Sequence, residues 1–538
     1  NQSRIFTEMM RQADVAKFSS DPEFLKVKRK REEQQQQIEN LRLAIATMPL
    51  KQTGLDARRR DLNVRLTAAN AGLTATEDAL WHDYPRFMEL TNPRPVTVQD
   101  LQQKLLRADE VLLSYVLLPQ EVAIFAVTRE RFQMVNVAVK RADVASRVRA
   151  IRRAIEKVAV GESVLFLREI APDNLHSLYR DLVAPLAAAL AGKRKVIVVA
   201  DGPLLTVPLE LLVTRYGQAE QRAFESARAA SDGSAERPFL GEYGALAYLG
   251  KDHRFAYLPS LSALASQRLY PKTVVGSRQA FTAFADPIFA PAAGQNYSPA
   301  TRVALDRLAG NYRVDRDGAP DIRRLKETAD EARSIARILG GSNHLFIGAA
   351  AQERTAKSGA LKDSLYVLFA THGFLGGEFL SASEPGADSA GGAVRAKSRG
   401  QPSLALTLVG DLGGEDGMLT MKEVIEDVEL NADLVALSAC NTAGDSAQAN
   451  NGEGFAGLTR AFMFAGARSL LVSHWSVDSL STEALMTSTF RNIKRGETVL
   501  EAVSDARREL RGGSYVNGQY HFSRSNPFFW AAFVYVGD

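Results

Sequence analysis

The chain has 538 residues, 46% of them apolar and 24% charged, with 66 basic against 62 acidic side chains and a single cysteine. These values fit a globular protein of about two to four domains and exclude an intramolecular disulfide and a cysteine-based metal site. A net charge of +4 gives no footing for nucleic-acid binding by charge alone. No apolar run approaches the roughly 18 residues that span a bilayer. The first residues, "NQSRIFTEMMRQ", carry no charged-then-apolar signal pattern, so a cytoplasmic location is expected. The chain opens on Asn1 rather than Met, which leaves room for sequence upstream.

Residues 1–95 read as a helical hairpin. Ile38, Leu41, Ile45 and Met48 alternate spacings of three and four, as do Leu55, Leu62, Leu66, Leu73 and Leu80, and "MPLKQTGL" between the two series supplies the turn. The basic run Lys26–Arg31 is read as a solvated helix face; contact with nucleic acid is the competing reading, with no recognised motif behind it. "NPRPVT" at 92–97 is the expected linker. After it "EVLLSYVLL", "EVAIFAVT" and "RFQMVNVAV" predict an antiparallel meander, and helices follow at 141–158 and 173–191. "KVIVVA" (195–200), apolar at all but its first residue, predicts a strand covered on both faces in a parallel sheet. Residues 216–238, polar and Ala/Ser-rich, predict a loose insertion.

From about 275 strand and helix patterns alternate. "QAFTAFADP", "HLFIG", "SLYVLFATHG", "DLVALSAC", "ARSLLVSHW" and "FWAAFVYVG" are predicted strands, separated by helices that include a long one at 480–511. The predicted class is therefore α/β, a mostly parallel sheet flanked by helices. The stretch 376–402, rich in Gly, Ser and Ala, predicts a mobile, protease-sensitive loop.

Two apolar strands end in reactive residues, Thr371-His372-Gly373 and Cys440-Asn441-Thr442. In open parallel sheets chemistry collects beyond the carboxyl ends of strands. Were the two strands neighbours, a thiol and an imidazole would emerge side by side, sufficient for nucleophilic acyl transfer. The backbone N–H groups of Gly373 and Cys440 would then be candidates for an oxyanion hole. Spacing alone leaves an inert core cysteine and a turn histidine equally open.

The blocks "SLYVLFATHGF", "DGMLTMKEVIEDVELNADLVALSACNTA", "GEGFAGLTRAFMFAGARSLLVSHWSVD" and "NPFFWAAFVYVGD", with "KVIVVADGPLLTVPLELL" and "FAYLPSLSAL" upstream, resemble in order the blocks of the CHAT family. These are caspase-like cysteine peptidases of bacteria and some eukaryotes, related to caspases and separase. The resemblance covers roughly 100–538. It implies a caspase-like fold, a His372–Cys440 dyad, peptide-bond hydrolysis without a cofactor or metal, and frequent coupling to helical repeats. Ser-Ala-Cys-Asn-Thr differs from the caspase Gln-Ala-Cys-x-Gly, so an Asp preference is not implied, and Ser473-His474-Trp475 departs from the usual Ser-Leu-Trp.

Three segments are expected: the hairpin 1–95, a pseudo-peptidase-like α/β subdomain 96–270 by analogy with separase, and a catalytic domain 271–538. Asp478, Glu453, Ser473 and Trp475 are the candidate substrate-binding residues. The two carboxylates would favour a basic residue before the scissile bond, although Asp478 also reads as a helix cap. The expected partners are a protein substrate and a regulator bound through the N-terminal helices. The competing function is a catalytically silent scaffold.

Overall fold

The computed structural model describes residues 21–48, 55–85, 87–88, 94–159, 161–232, 237–269, 277–292, 296–308, 322–374, 402–441, 453–475, 478–517 and 520–538. The chain divides into two compact units, 1–95 with 265–272, and 96–264 with 273–538. In the first, α1 (Pro22–Ala46) and α2 (Asp56–Asp83) run antiparallel, since Arg31 pairs with Glu77 while Gln34 lies against Gly72. Asp21 caps α1 by accepting from Glu23 and Phe24 N–H, and Pro22 opens it without wasting a donor. Of the two predicted apolar series, Ile38, Leu41 and Leu80 are buried among the described residues. A cluster of Phe24, Leu80, Trp81, Phe87 and Met88 closes the open end of the hairpin.

The second unit is built on one sheet. Its strands are β1 (Glu110–Leu117), β2 (Val122–Val127), β3 (Phe132–Val137), β4 (Lys195–Val199), β5 (Arg254–Tyr257), β6 (Gln279–Ala285), β7 (Asn343–Ile347), β8 (Ser364–Phe374), β9 (Ser403–Ala405), β10 (Met418–Thr420), β11 (Leu434–Asn441), β12 (Ser469–Ser473) and β15 (Phe533–Gly537). A separate hairpin comprises β13 (Ser514–Asn517) and β14 (Tyr520–Ser523). The main order is β10-β9-β8-β11-β12-β15-β5-β4-β1-β2-β3, with β6 on β8 and β7 on β6. The regions 96–270 and 271–538 thus contribute to a single sheet, continuous through the β15–β5 pair.

Strand direction fixes which ends share a rim. β7, β6, β8, β11 and β12 are mutually parallel; β15 runs against β12, and β5, β4 and β1 are parallel to β15. The carboxyl ends of β4 and β1 therefore face the rim opposite to those of β8 and β11. As its apolar sequence predicts, β4 lies between two parallel neighbours, and β1–β3 form the predicted meander.

Helices α3 (Arg141–Ala159), α4 (Pro172–Leu182), α5 (Gln218–Asp232), α6 (Thr328–Leu339), α7 (Met421–Glu426), α8 (Glu453–Ala465), α9 (Ser479–Lys494) and α10 (Val499–Arg511) accompany the sheet. Three differ from their sequence reading. The helix expected over 173–191 stops at Leu182, and a short α-helix resumes only at Ala187–Leu190. The region read as a loose insertion contains α5, because alanine-rich sequence favours a helix and Phe224, 5% exposed, anchors it edge-on to Tyr243. The predicted helix at 480–511 is two. Gly496 at φ +97° breaks it, and Thr498 restarts it in a capping box with Glu501. At the α8–β12 turn Gly466 has φ +128°, and a Cβ there would sit 1.9 Å from the Leu430 carbonyl oxygen, so only glycine lets β12 enter beside β11. No helix among the described residues is long and apolar enough to cross a membrane. The stretch 376–402 lies, except for Pro402, outside the described residues.

Candidate active site

The rim is set by register. β11 pairs in parallel with β8 over eight positions, and Cys440 stands opposite His372, Asn441 opposite Gly373. Neighbouring strands are about 4.8 Å apart, so the two backbone positions are adjacent. On its other edge β8 carries β6 up to Ala370↔Ala285, then β9 from His372↔Ala405. Gly373 is thereby paired on both sides, with Asn441 and with Leu404. The side chain of Cys440 lies outside the described residues.

His372 is 6% exposed. Its Nε2 lies 2.6 Å from the Arg323 carbonyl oxygen, and since that oxygen only accepts, Nε2 carries the proton. The neutral ring then holds its lone pair on Nδ1. The Phe289 ring packs against it at 5.3 Å between centroids. Burial pulls the imidazole pKa below its ordinary value, partly offset by the Arg323 hydrogen bond and the Glu327 charge, so the ring is neutral at pH 7.

The substrate-binding candidates fall in different surroundings. Ser473, at the end of β12, is buried with its hydroxyl directed to the Leu437 carbonyl. Trp475 is 2% exposed and its indole N–H donates to the Phe528 carbonyl, so its ring is a packing element of the core. Arg152 lies over that ring and donates to the His474 carbonyl. The His474 imidazole is pushed down to about 3 by burial and by the Arg152 and Arg507 charges. Asp478 is the N-cap of α9, accepting from Ser481 N–H at 3.0 Å through Oδ1, while its buried Oδ2 has no hydrogen-bond partner among the described residues. Glu453 opens α8, and its side chain lies outside the described residues.

Sequence reading missed the segment 322–328. Arg323 supplies the carbonyl on His372, and Arg324 grips Asp286, the residue after β6, with two hydrogen bonds of 2.7 and 2.8 Å. The available signal was weak: an Asp between an apolar strand and Pro287, and an Arg pair 37 residues later (from 286 to 323).

Glu353, Glu415 and Glu423 bring carboxylate oxygens within 4.8 Å of one another, a spacing that suits a divalent cation. The Lys357 ammonium occupies that centre, 2.8 Å from Glu415, 3.2 Å from Glu423 and Glu353, and 3.6 Å from Asp427. Burial, then the Glu423 charge, raises Glu353 to about 8, so it stays protonated beside the ionised members. Lys357→Met should cost about 3 kcal/mol at pH 7, because it strands partly buried carboxylates. Urea unfolding would show a loss that shrinks towards pH 5; a loss independent of pH would contradict this account.

The profile of the CHAT domain family matches residues 172–538, well over half of the chain. A comparison with curated proteins gave no match. Among solved structures, the chain is similar to separase in two Saccharomyces cerevisiae separase–securin complexes, solved at 3.0 and 2.6 Å. The first has 11% identity, TM-score 0.40 and covers 94% of this chain and 37% of that one; the second has 10%, 0.39, 100% and 40%. This chain thus spans well under half the length of those separase chains. The Arg-specific cysteine proteinase gingipain R (RgpB) matches at 8% identity and TM-score 0.31, over 72% of this chain and 74% of its own. Because the profile takes in β8 and β11, which carry His372 and Cys440, together with the terminal strand, the chain belongs to the CHAT domain family.

Proposed function

We propose that the chain is a cysteine endopeptidase in which His372 and Cys440 form the catalytic dyad. The observation that carries this reading is the parallel register that sets Cys440 opposite His372 at the carboxyl ends of adjacent strands. Nδ1 of the neutral His372 ring takes the thiol proton, and the thiolate attacks the scissile carbonyl. The backbone N–H groups of Gly373 and Cys440 receive the oxyanion, a role that requires them to turn out of the ladder as substrate enters. The imidazolium then protonates the leaving amine, and water, deprotonated by the same ring, hydrolyses the thioester to release acid and free thiol. No metal or cofactor takes part in this scheme. The 96–270 half would buttress the catalytic half, and the N-terminal hairpin, with Leu43 and Val64 exposed, would bind a regulatory partner.

The test is cleavage of a peptide library by wild type and Cys440→Ala, with sites read by mass spectrometry. Cleavage confined to the wild type supports the peptidase; cleavage by neither favours the silent scaffold.

The residue before the scissile bond is proposed to be Arg or Lys, drawn to Asp478, whose Oδ2 has no hydrogen-bond partner among the described residues. Asp478→Asn should keep the helix cap, since Asn caps about as well, while basic-residue selectivity falls on the order of 10²-fold. Cleavage after Asp, or unchanged selectivity in both Asp478→Asn and Glu453→Gln, would rule out this pocket.

A further inference from the structure

Asp286 follows the last residue of β6, on the rim where β9 takes over the edge of β8. It is 7% exposed and sits at φ +50°, a left-handed conformation that costs an aspartate about 1 kcal/mol or more. Such a conformation persists where surrounding bonds over-determine it. Here its N–H donates to Thr328 Oγ1 at 2.8 Å, and its two carboxylate oxygens accept from Arg324 Nε at 2.7 Å and Nη2 at 2.8 Å. Thr328 Oγ1 in turn donates to the Leu325 carbonyl at 2.7 Å, and Glu327 accepts from Ser479 at the start of α9.

These bonds pin the segment on the C-terminal side of the carbonyl on His372, at Arg324, Glu327 and Thr328. That carbonyl belongs to the planar peptide joining Arg323 to Arg324. Fixing the Arg324 side chain on Asp286 restricts the residue on one side of that plane, so the oxygen keeps its direction towards Nε2. The observed 2.6 Å contact in turn selects the Nε2–H tautomer and leaves Nδ1 as the basic nitrogen. The bidentate fork is the charged anchor of this segment to the strand end, and such pairs hold direction as well as distance.

We propose that Asp286 and Arg324 are a positioning pair that sets the tautomer and placement of the His372 ring through the Arg323 carbonyl. This rests on the reading of His372 as the acid–base group. Neither residue needs to touch substrate in this role. The pair acts through the geometry of one peptide unit.

The experiment uses the full chain with Arg324→Ala, Arg324→Lys, Asp286→Asn and His372→Ala. Asn tolerates positive φ, so Asp286→Asn keeps the turn while removing the charge. The His372 signals in ¹⁵N histidine spectra, assigned by their loss in His372→Ala, should move from one tautomer to a mixture in Arg324→Ala and Asp286→Asn. In the same two variants kcat should fall about 10²-fold with KM nearly constant, as expected for a misplaced reacting group. Arg324→Lys should recover part of both, since it keeps the charge and loses the fork. His372 spectra unchanged in Arg324→Ala and Asp286→Asn would overturn the proposal. So would faster turnover of basic substrates by Arg324→Ala, which would make Arg324 an occupant of the site rather than its support. If His372→Ala still cleaves peptides, the acid–base reading fails, while the spectra decide the positioning pair by themselves.

Discussion

Cys440→Ala, His372→Ala and the double variant are expected to lose peptide cleavage to the same extent, about 10⁴-fold or more, with the fold intact in all three. Removal of the thiol leaves no nucleophile for the acyl transfer. Removal of the imidazole leaves no base for the thiol proton and no acid for the leaving amine. Each loss disables the same step, so the second substitution has nothing left to remove. His372→Ala should lower stability by about 1–3 kcal/mol without unfolding the chain, because it removes a buried ring packed on Phe289 and leaves the Arg323 carbonyl without its donor. The measurement is kcat/KM on a peptide found by library profiling, with urea unfolding as the control. Substantial hydrolysis by Cys440→Ala, or a double variant far worse than either single one, would overturn the dyad.

What the sequence made legible follows a physical division. β4, β8 and β11 announce themselves because strands buried on both faces must be apolar at nearly every position, a pattern that needs no knowledge of neighbours. The reactive ends of β8 and β11 were legible for the same reason: Thr371-His372-Gly373 and Cys440-Asn441-Thr442 break those apolar runs. Which strands pair is set by the whole chain, and the one-to-one register of Cys440 with His372 is visible only in the fold. The helix break at Gly496 and Thr498 was written locally, as a glycine stop and a capping box, and was lost under a continuous amphipathic pattern. Helix α5 was hidden by its polarity, because Phe224, a single side chain, supplies the anchor. The Asp286–Arg324 clasp spans 38 residues and has no periodicity, so no local rule could have joined the two.

Glu331→Gln is expected to make the protein markedly more stable above neutral pH and to leave it almost unchanged below pH 5. Glu331 lies on α6, which packs against α9; it is 3% exposed, and its buried Oε1 has no hydrogen-bond partner among the described residues. Burial, and secondarily the Glu483 charge on α9, raises its carboxyl from 4.5 to about 8. The folded state therefore holds a proton that the unfolded chain releases near pH 4.5. For a group raised in this way the contribution to stability is fully present below the unfolded pKa and declines as pH rises to the folded value. Above about 8 the carboxylate is ionised in both states, and its burial is uncompensated. The shift corresponds to roughly 5 kcal/mol across that window. Gln keeps the shape and cannot ionise, so the decline disappears, while its amide, which also needs partners, makes it no better than the protonated acid at low pH. Urea unfolding of both proteins at pH 5, 7 and 9 isolates the effect, because other titrating groups such as Glu353 cancel in the difference. The variant should gain steadily over wild type from pH 5 to pH 9. A difference that stays constant with pH would mean that Glu331 is ionised in the fold at neutral pH, with its charge met by solvent between α6 and α9.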